Sequence, residues 1–275
     1  MTKALVTGGG GAMAGEIALR LERLGYSLVL VDVDEERMAA VASSLRGGAQ
    51  TYVADLSDLA QSRAVAEWIE TEHADLDLLV NNAGIIRPGD IADLEADVIE
   101  RHITVNLLAP MQITAAAARG MKARGRGDIV SIVSMGGILA LPGSASYAAS
   151  KFGLRGFQTS IRSELAPYGV RVMGVFPSGV DTPMLRYEAT HGGSPLNFVG
   201  KVKTVVDIGD AVEKALRTGK LETYVPYGDS LTTRVVGSVP WSVEKVVPLF
   251  TKSGEKGRAA FIAEGAVGIE TRKAR

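Results

Sequence analysis

The most restrictive feature of this chain is a repeated alternation of short apolar runs and helix-period segments. The runs read as buried strands over Lys3–Thr7, Tyr26–Val33, Gln50–Ala54, Asp77–Val80, Asp128–Ser134, Val170–Phe176 and Glu222–Pro226. Between them, apolar residues recur at helical spacing, as in Ile17, Ala18, Leu21 and Leu24, or Val65, Trp68 and Ile69. Strands separated by helices form right-handed crossovers, and crossovers give a parallel sheet. The pattern predicts an α/β fold of Rossmann type, a seven-stranded doubly wound parallel sheet flanked by helices. Ligands of such sheets sit at the carboxyl ends of the strands, so the residues there carry the functional argument.

Composition permits this fold and narrows the chemistry. The chain has 275 residues, of which 46% are hydrophobic and 22% charged, enough for a sizeable core. A net charge of −1 supplies no basic field for nucleic acid. The absence of cysteine rules out disulfides, thiolate nucleophiles and cysteine metal sites, and permits a reducing compartment. His73, His102 and His191 show no ligand spacing, so no metal site is expected and each is read as a surface or loop residue. The N-terminus enters a strand directly, without a signal-peptide pattern, and no apolar run is long enough to span a bilayer. The expected location is the cytoplasm.

The first strand runs into Gly8–Gly9–Gly10–Gly11–Ala12–Met13–Ala14–Gly15, and a helix follows. Strand, glycine loop and helix N-terminus make an anion cradle, because backbone N–H groups and the helix dipole face a pyrophosphate. Asp32, near the end of the second strand, follows Gly8 at about the 20-residue offset of the acid that holds an adenosine ribose. Neither Gly11 nor Val33 offers a compensating positive charge, so NAD is favoured over NADP. Asp34 is the expected cap of the next helix, which leaves Asp32 free, and Ser57 is the expected cap of the helix after the third strand. Asp55 and Asn82 fall at further strand ends.

Tyr147 and Lys151 lie one turn apart on a helix face, where an ammonium would lower the phenol's pKa toward acid–base use near neutral pH. Asn106 and Pro110 interrupt a long helix read over 96–124, a kink that frees polar groups for a bound water. Ser134 ends the fifth strand.

Together these motifs resemble the short-chain dehydrogenase/reductase family, in its compact single-domain form. The likeness covers about Lys3 to Gly228 and rests on TGGGGAMA at 7–14, DL at 55–56, NNAG at 81–84, Asn106, Ser134, Tyr147 with Lys151, and PSGVDT at 177–182. Two family glycines are Ala12 and Ala14 here, and the family's Pro-Gly is Pro177–Ser178. The resemblance implies that Tyr147 is the acid/base and that Lys151 lowers its pKa and holds the nicotinamide ribose. It implies that Ser134 hydrogen-bonds the substrate oxygen and that Asn106 positions a proton-relaying water. Gly8, Gly10, Gly11, Ala12 and Met13 would cradle the pyrophosphate, with Asp55 and Leu56 flanking the adenine. Asn82, Ala83 and Gly84 would line the cleft, and Pro177, Val180 and Thr182 the nicotinamide edge. A homo-oligomer is also implied, often a tetramer built through the Asn106 and Tyr147 helices.

The chain divides into this domain, 1–228, and an extension, 229–275. Residues 184–206 are read as a specificity segment over the site, with Leu185, Tyr187, Leu196 and Phe198. The apolar stretch 231–250, broken by Pro240 and Pro248, is a helical extension packed on its own domain or on a subunit partner. Its second reading is an apolar lid or peripheral membrane contact serving a lipophilic substrate. The basic tail from Lys252 confers solubility. The expected activity is NAD-dependent interconversion of a secondary alcohol and a ketone. The alternatives are an NADP-dependent carbonyl reductase and a non-catalytic dinucleotide-binding redox sensor.

Overall fold

The computed structural model describes residues 2–273. Every expected strand forms, within a residue or two of the expected bounds: β1 (Thr2–Thr7), β2 (Tyr26–Asp32), β3 (Ala49–Val53), β4 (Leu78–Asn81), β5 (Gly127–Ile132), β6 (Val170–Pro177) and β7 (Glu222–Val225). They make one parallel seven-stranded sheet in the order β3-β2-β1-β4-β5-β6-β7. The chain reverses its direction of travel across the sheet between β1 and β4, which opens a crevice above their carboxyl ends.

Alternation along each strand divides the core into two layers. Ala4, Val6, Leu28, Leu30, Val80, Val130 and Val175 face α1 (Ala12–Arg23), α2 (Glu35–Ser44) and a later helix at Val205–Thr218. Leu5, Val29, Val31, Leu79, Ile129 and Val172 face α3 (Leu59–Glu72) and two further helices described below. Each helix turns a stripe of Ala, Ile, Leu or Val onto the sheet, such as Ile17, Ala18 and Leu21 of α1.

Local chemistry sets the helix starts. Asp34 caps α2 as expected, its carboxylate accepting from the Arg37 N–H at 3.0 Å. Ser57 does not cap α3: the next residue, Asp58, accepts from the Ala60 N–H at 2.7 Å. The long helix is three pieces, α4 (Ala96–Ile103), a π turn at Thr104–Leu108 and α5 (Ala109–Arg124). The π turn widens the helix around Asn106, a deformation common at functional sites. Helix α6 (Ala145–Leu165) carries the tyrosine and lysine.

After β6 the chain forms α7 (Pro183–Thr190), a 3₁₀ turn at Pro195–Phe198 and α8 (Val205–Thr218). The extension is α9 (Tyr227–Gly237), a 3₁₀ turn at Pro240–Ser242 and α10 (Val243–Lys273). Pro240 breaks the helical course as expected, but Pro248 does not: it sits inside α10, which forgoes one backbone hydrogen bond there. Helix α10 docks by close backbone approach. A Cβ on Gly254 would lie 2.3 Å from the Pro195 carbonyl oxygen, and one on Gly257 would lie 2.1 Å from that of Phe198. Phe261 then packs on Phe198, ring centroids 5.4 Å apart. The end of the basic tail, Ala274 and Arg275, lies outside the described residues. Among the described residues no helix is long and apolar enough to cross a membrane.

Candidate active site

A cavity of about 860 Å³ opens above the carboxyl ends of the strands. One end is built from the β1–α1 loop. Gly8 takes φ +65°, and a Cβ there would sit 2.8 Å from the Ala83 Cα. A Cβ on Gly10 would sit 2.9 Å from the Arg37 Cβ, so bare backbone is needed at both positions. Helix α1 begins at Ala12, so its first N–H groups lack intrahelical acceptors and face the cavity wall formed by Gly11, Ala12 and Met13. Ala14 is wholly buried in the core behind them.

Asp32 lines the same end but is not free. Its Oδ2 accepts from the Gly10 N–H and its Oδ1 from the Asp34 N–H, each at 2.9 Å. Two backbone donors on one carboxylate still leave lone pairs for ribose hydroxyls. Arg37 also reaches this rim, paired with Asp34 at 3.1 Å. Spacing from the glycine loop and from Asp32 does not point to it, because Arg37 lies five residues past Asp32, in the first turn of α2.

The β4 end is fastened to β1. Thr7 Oγ1 accepts from the N–H groups of Asn82 and Ala83, both at 3.1 Å, and Asn82 Nδ2 donates to the Thr7 carbonyl at 3.0 Å. Asn82 Oδ1 is buried at the cavity wall without a partner. Such an acceptor, together with a glycine cradle that side chains would fill, fits a bound dinucleotide. Pro177, Val180 and Thr182 line the wall above β6, and Thr182 caps α7. Asp55 and Leu56 stand outside the cavity: Leu56 packs in the core, and Asp55 accepts from the Ser57 N–H at 2.8 Å.

Ser134, Tyr147 and Lys151 converge at the middle of the cavity. A Cβ on Gly136 would lie 3.1 Å from Tyr147 Cε1 and 3.3 Å from Ser134 Oγ, which places the two side chains together. Lys151 is 4% exposed, and its Nζ donates to the Ile132 carbonyl at 3.1 Å. Asn106 lies behind this wall, fully buried. Its Oδ1 accepts from the Ile85 N–H at 2.8 Å, and its Nδ2 donates to the Ile85 carbonyl and to Ser150 Oγ at 2.9 and 3.1 Å. A Cβ on Gly84 would lie 3.4 Å from Asn106 Oδ1 and 3.5 Å from Lys151 Nζ, so the two groups flank one small space.

The electrostatics reverse one expectation. Burial pushes the Tyr147 phenol above its ordinary value; the Ser134 hydroxyl pulls it back, and the Glu188 carboxylate adds to the rise. Burial also brings Lys151 down to about 8. The ammonium lies 5.8 Å from the phenol ring centroid, and loss of water around both groups outweighs that proximity. Tyr147 therefore holds its proton at neutral pH, while Lys151 can exchange one near pH 8.

The other end of the cavity is apolar. Leu139, Leu141, Met184, Leu185 and Leu196 meet Val236, Val246, Val247 and Phe250 from the extension. Of the four specificity residues expected, Leu185 and Leu196 line it. Phe198 is core, and Tyr187 stacks on His191 with centroids 3.9 Å apart. Two polar groups that sequence reasoning missed, Glu188 and Asn197, interrupt this wall. Of the histidines, His73 and His191 lie in loops as expected, and His102 does not: it sits within α4. His73 and His102 are 3% and 1% exposed. His102 Nε2 accepts from the Arg87 N–H at 2.9 Å, which leaves Nδ1 to donate to Ser146 at 2.8 Å.

Known proteins resemble this chain in sequence and in fold. The family described as "short chain dehydrogenase" matches residues 2–192. The 3-alpha-(or 20-beta)-hydroxysteroid dehydrogenase of Mycobacterium bovis is 35% identical over 181 residues, 66% of this chain and 70% of its own length. Among solved structures, the bulky-bulky ketone specific alcohol dehydrogenase from Comamonas testosteroni aligns at TM-score 0.74 and 26% identity, covering 90% of this chain and 94% of its own. A short-chain dehydrogenase from Sphingobium yanoikuyae, in complex with NADPH, aligns at 0.77 and 28%, covering 90% and 96%. Strand order, cradle and matched sequence lead to one assignment: the chain belongs to the short-chain dehydrogenase/reductase family of oxidoreductases.

Proposed function

We propose that the protein interconverts a secondary alcohol and a ketone on a bulky lipophilic skeleton, with NAD preferred to NADP. The carrying observation is the convergence of Tyr147, Ser134 and Lys151 between a glycine cradle and an apolar chamber. When bound, the nicotinamide accepts or supplies the hydride. Gly8, Gly10, Gly11, Ala12 and Met13 would hold the pyrophosphate, Asp32 the adenosine ribose, Lys151 the nicotinamide ribose, and Pro177, Val180 and Thr182 the carboxamide edge. Asn82, Ala83 and Gly84 would wall the cleft between them.

Ser134 hydrogen-bonds the substrate oxygen and aims it at the Tyr147 hydroxyl. In reduction, Tyr147 gives its proton to the forming alkoxide; in oxidation it passes its own proton to neutral Lys151 and takes the alcohol proton in exchange. Lys151 passes protons to and from the tyrosine, and Asn106 holds the water that connects Lys151 to solvent. The apolar chamber favours a large hydrocarbon, in keeping with the hydroxysteroid and bulky-ketone names of a relative and a neighbour. The Asp32 carboxylate disfavours a 2′-phosphate. Asp55 and Leu56 would serve the adenine only from outside the present wall.

Turnover of bulky secondary alcohols with NAD, compared between wild type and Tyr147→Phe, tests this reading. NADH binding without turnover of any alcohol or ketone would favour the redox-sensor alternative. We also propose a homo-oligomer through α5 and α6, to be read by sedimentation. Leu231, Val235, Trp241 and Leu249 are 49%, 68%, 72% and 76% exposed, which favours a second reading of the extension as a membrane-surface contact. Equal liposome partitioning of the full chain and a chain ending at Gly228 would overturn that contact.

A further inference from the structure

The substrate half of the cavity holds a carboxyl group that shifts the Tyr147 proton affinity but has no proton-transfer role in the reaction. Glu188 projects from α7, the same helix that supplies Met184 and Leu185 to the apolar wall, and is 6% exposed. Its Oε2 accepts from Asn197 Nδ2 at 3.0 Å. Oε1 accepts from none of the described residues, and no described Lys, Arg or His pairs with the carboxylate.

Its position is fixed from behind. The Glu188 carbonyl accepts from the Gly193 N–H at 2.9 Å, and the Asn197 N–H donates to the Ser194 carbonyl at 3.2 Å. A Cβ on Gly179 would lie 2.4 Å from the Asn197 carbonyl oxygen, so the loop carrying Asn197 is packed against backbone. The backbone on both sides of the Glu188–Asn197 contact is therefore pinned, with one carboxylate oxygen engaged at a residue that lines the cavity.

A carboxylate oxygen that lines the cavity and takes no donor from the described residues is open to one that a substrate brings. We propose that Glu188, positioned by Asn197, recognises a hydroxyl on the substrate remote from the carbon that reacts at Tyr147. The substrates are then hydroxyketones and diols on an apolar skeleton. This rests on the alcohol–ketone reading given above. Burial raises the Glu188 carboxyl to about 7, so acid and carboxylate are both populated near neutral pH. A hydroxyl complements both forms, donating to the carboxylate and accepting from the acid. An ammonium complements only one.

The test uses a hydroxydecalone, the parent decalone and the matching aminodecalone, with NADH and the full chain. Wild type should favour the hydroxydecalone over the decalone by about tenfold or more in kcat/KM, mostly through KM. Glu188→Leu should bring the ratio to within about threefold, with any change that the lost charge makes at Tyr147 falling equally on both ketones and cancelling in the ratio. Should Glu188→Leu not fold, Glu188→Gln carries the test: a neutral bond replaces a charge-assisted one, and the ratio should fall by about threefold or more. Equal wild-type rates on the pair, equal losses on both ketones in the variant, or a preference for the amine would each overturn the proposal. Melting shifts with the same compounds separate the two readings. A shift specific to the hydroxydecalone and absent in the Glu188 variant, with no turnover of either ketone, would uphold the hydroxyl contact and sink the alcohol–ketone reading.

Discussion

The cradle end of the cavity is walled by loops leaving β1, β2 and β4, whereas the chamber end is walled by α7, the 3₁₀ turn after it, α9 and α10. At the cradle, contacts are backbone to backbone or backbone to a short side chain, as where Thr7 takes two N–H groups. At the chamber, side chains from segments far apart in sequence meet, such as Leu141, Leu196 and Phe250. The first arrangement is fixed by the sheet and suits a ligand of constant shape. The second can change side chain by side chain without disturbing the sheet, and suits a ligand that differs between relatives.

Substitutions should separate the two ends. The largest effect is expected between them, at Tyr147→Phe: kcat/KM should fall by about 10³-fold, with NADH affinity within about threefold of wild type. Residual activity near wild type would show that the proton comes from elsewhere. Next, Gly10→Val should weaken NADH by about 10²-fold through its clash with Arg37, since roughly 3 kcal/mol of binding is forfeited when backbone cannot approach the phosphates. Equal weakening of ketone KM would erase the division between the ends. Gly257→Val should do the reverse, lifting α10 off Phe198 and raising ketone KM by about tenfold while NADH binding holds. Direct binding measurements with NADH distinguish the two variants.

Two smaller effects sharpen the comparison. Asp32→Ala should reduce the preference for NAD over NADP by about fivefold or more, since one repulsive charge is removed; an unchanged ratio would point instead to Arg37. The last is thermodynamic. The Glu188 carboxyl sits at about 7 when folded, above its ordinary 4.5, so the folded state binds the extra proton and stability falls as pH rises through that window. Glu188→Gln does not titrate, so its melting temperature should fall less than that of wild type by a few degrees between about pH 4.5 and about 7. Parallel melting curves would show the carboxyl to be better solvated than its burial implies.

The cradle was legible in the sequence because its signals are local. Strand, glycines and helix start lie within a dozen or so residues, and Asp32 falls at a spacing set by one crossover. Asn106 was legible as an oddity, a poor helix former beside a proline, although its ties to Ile85 and Ser150 were not. The chamber was legible only as a segment. Glu188 sits among Arg186, Tyr187 and Thr190, and nothing in that local run reports its partner Asn197 in the 3₁₀ turn beyond the helix. The direction of the phenol's shift is not legible in the sequence either: one-turn spacing reports proximity to Lys151 but not the water excluded from both. His102, read as a surface or loop residue, is instead a buried helix residue because Arg87 and Ser146 from distant segments close over it.

The missing side chains at Gly254 and Gly257 have a practical corollary. They press a helix that never meets the cradle directly onto the turn carrying Leu196 and Asn197, so the bore of the chamber is gauged from outside. Graded replacement of those glycines by alanine, serine and valine would ream the chamber stepwise. A protein engineer could thereby retune which carbon skeletons are admitted and leave every residue around the reacting oxygen as it stands.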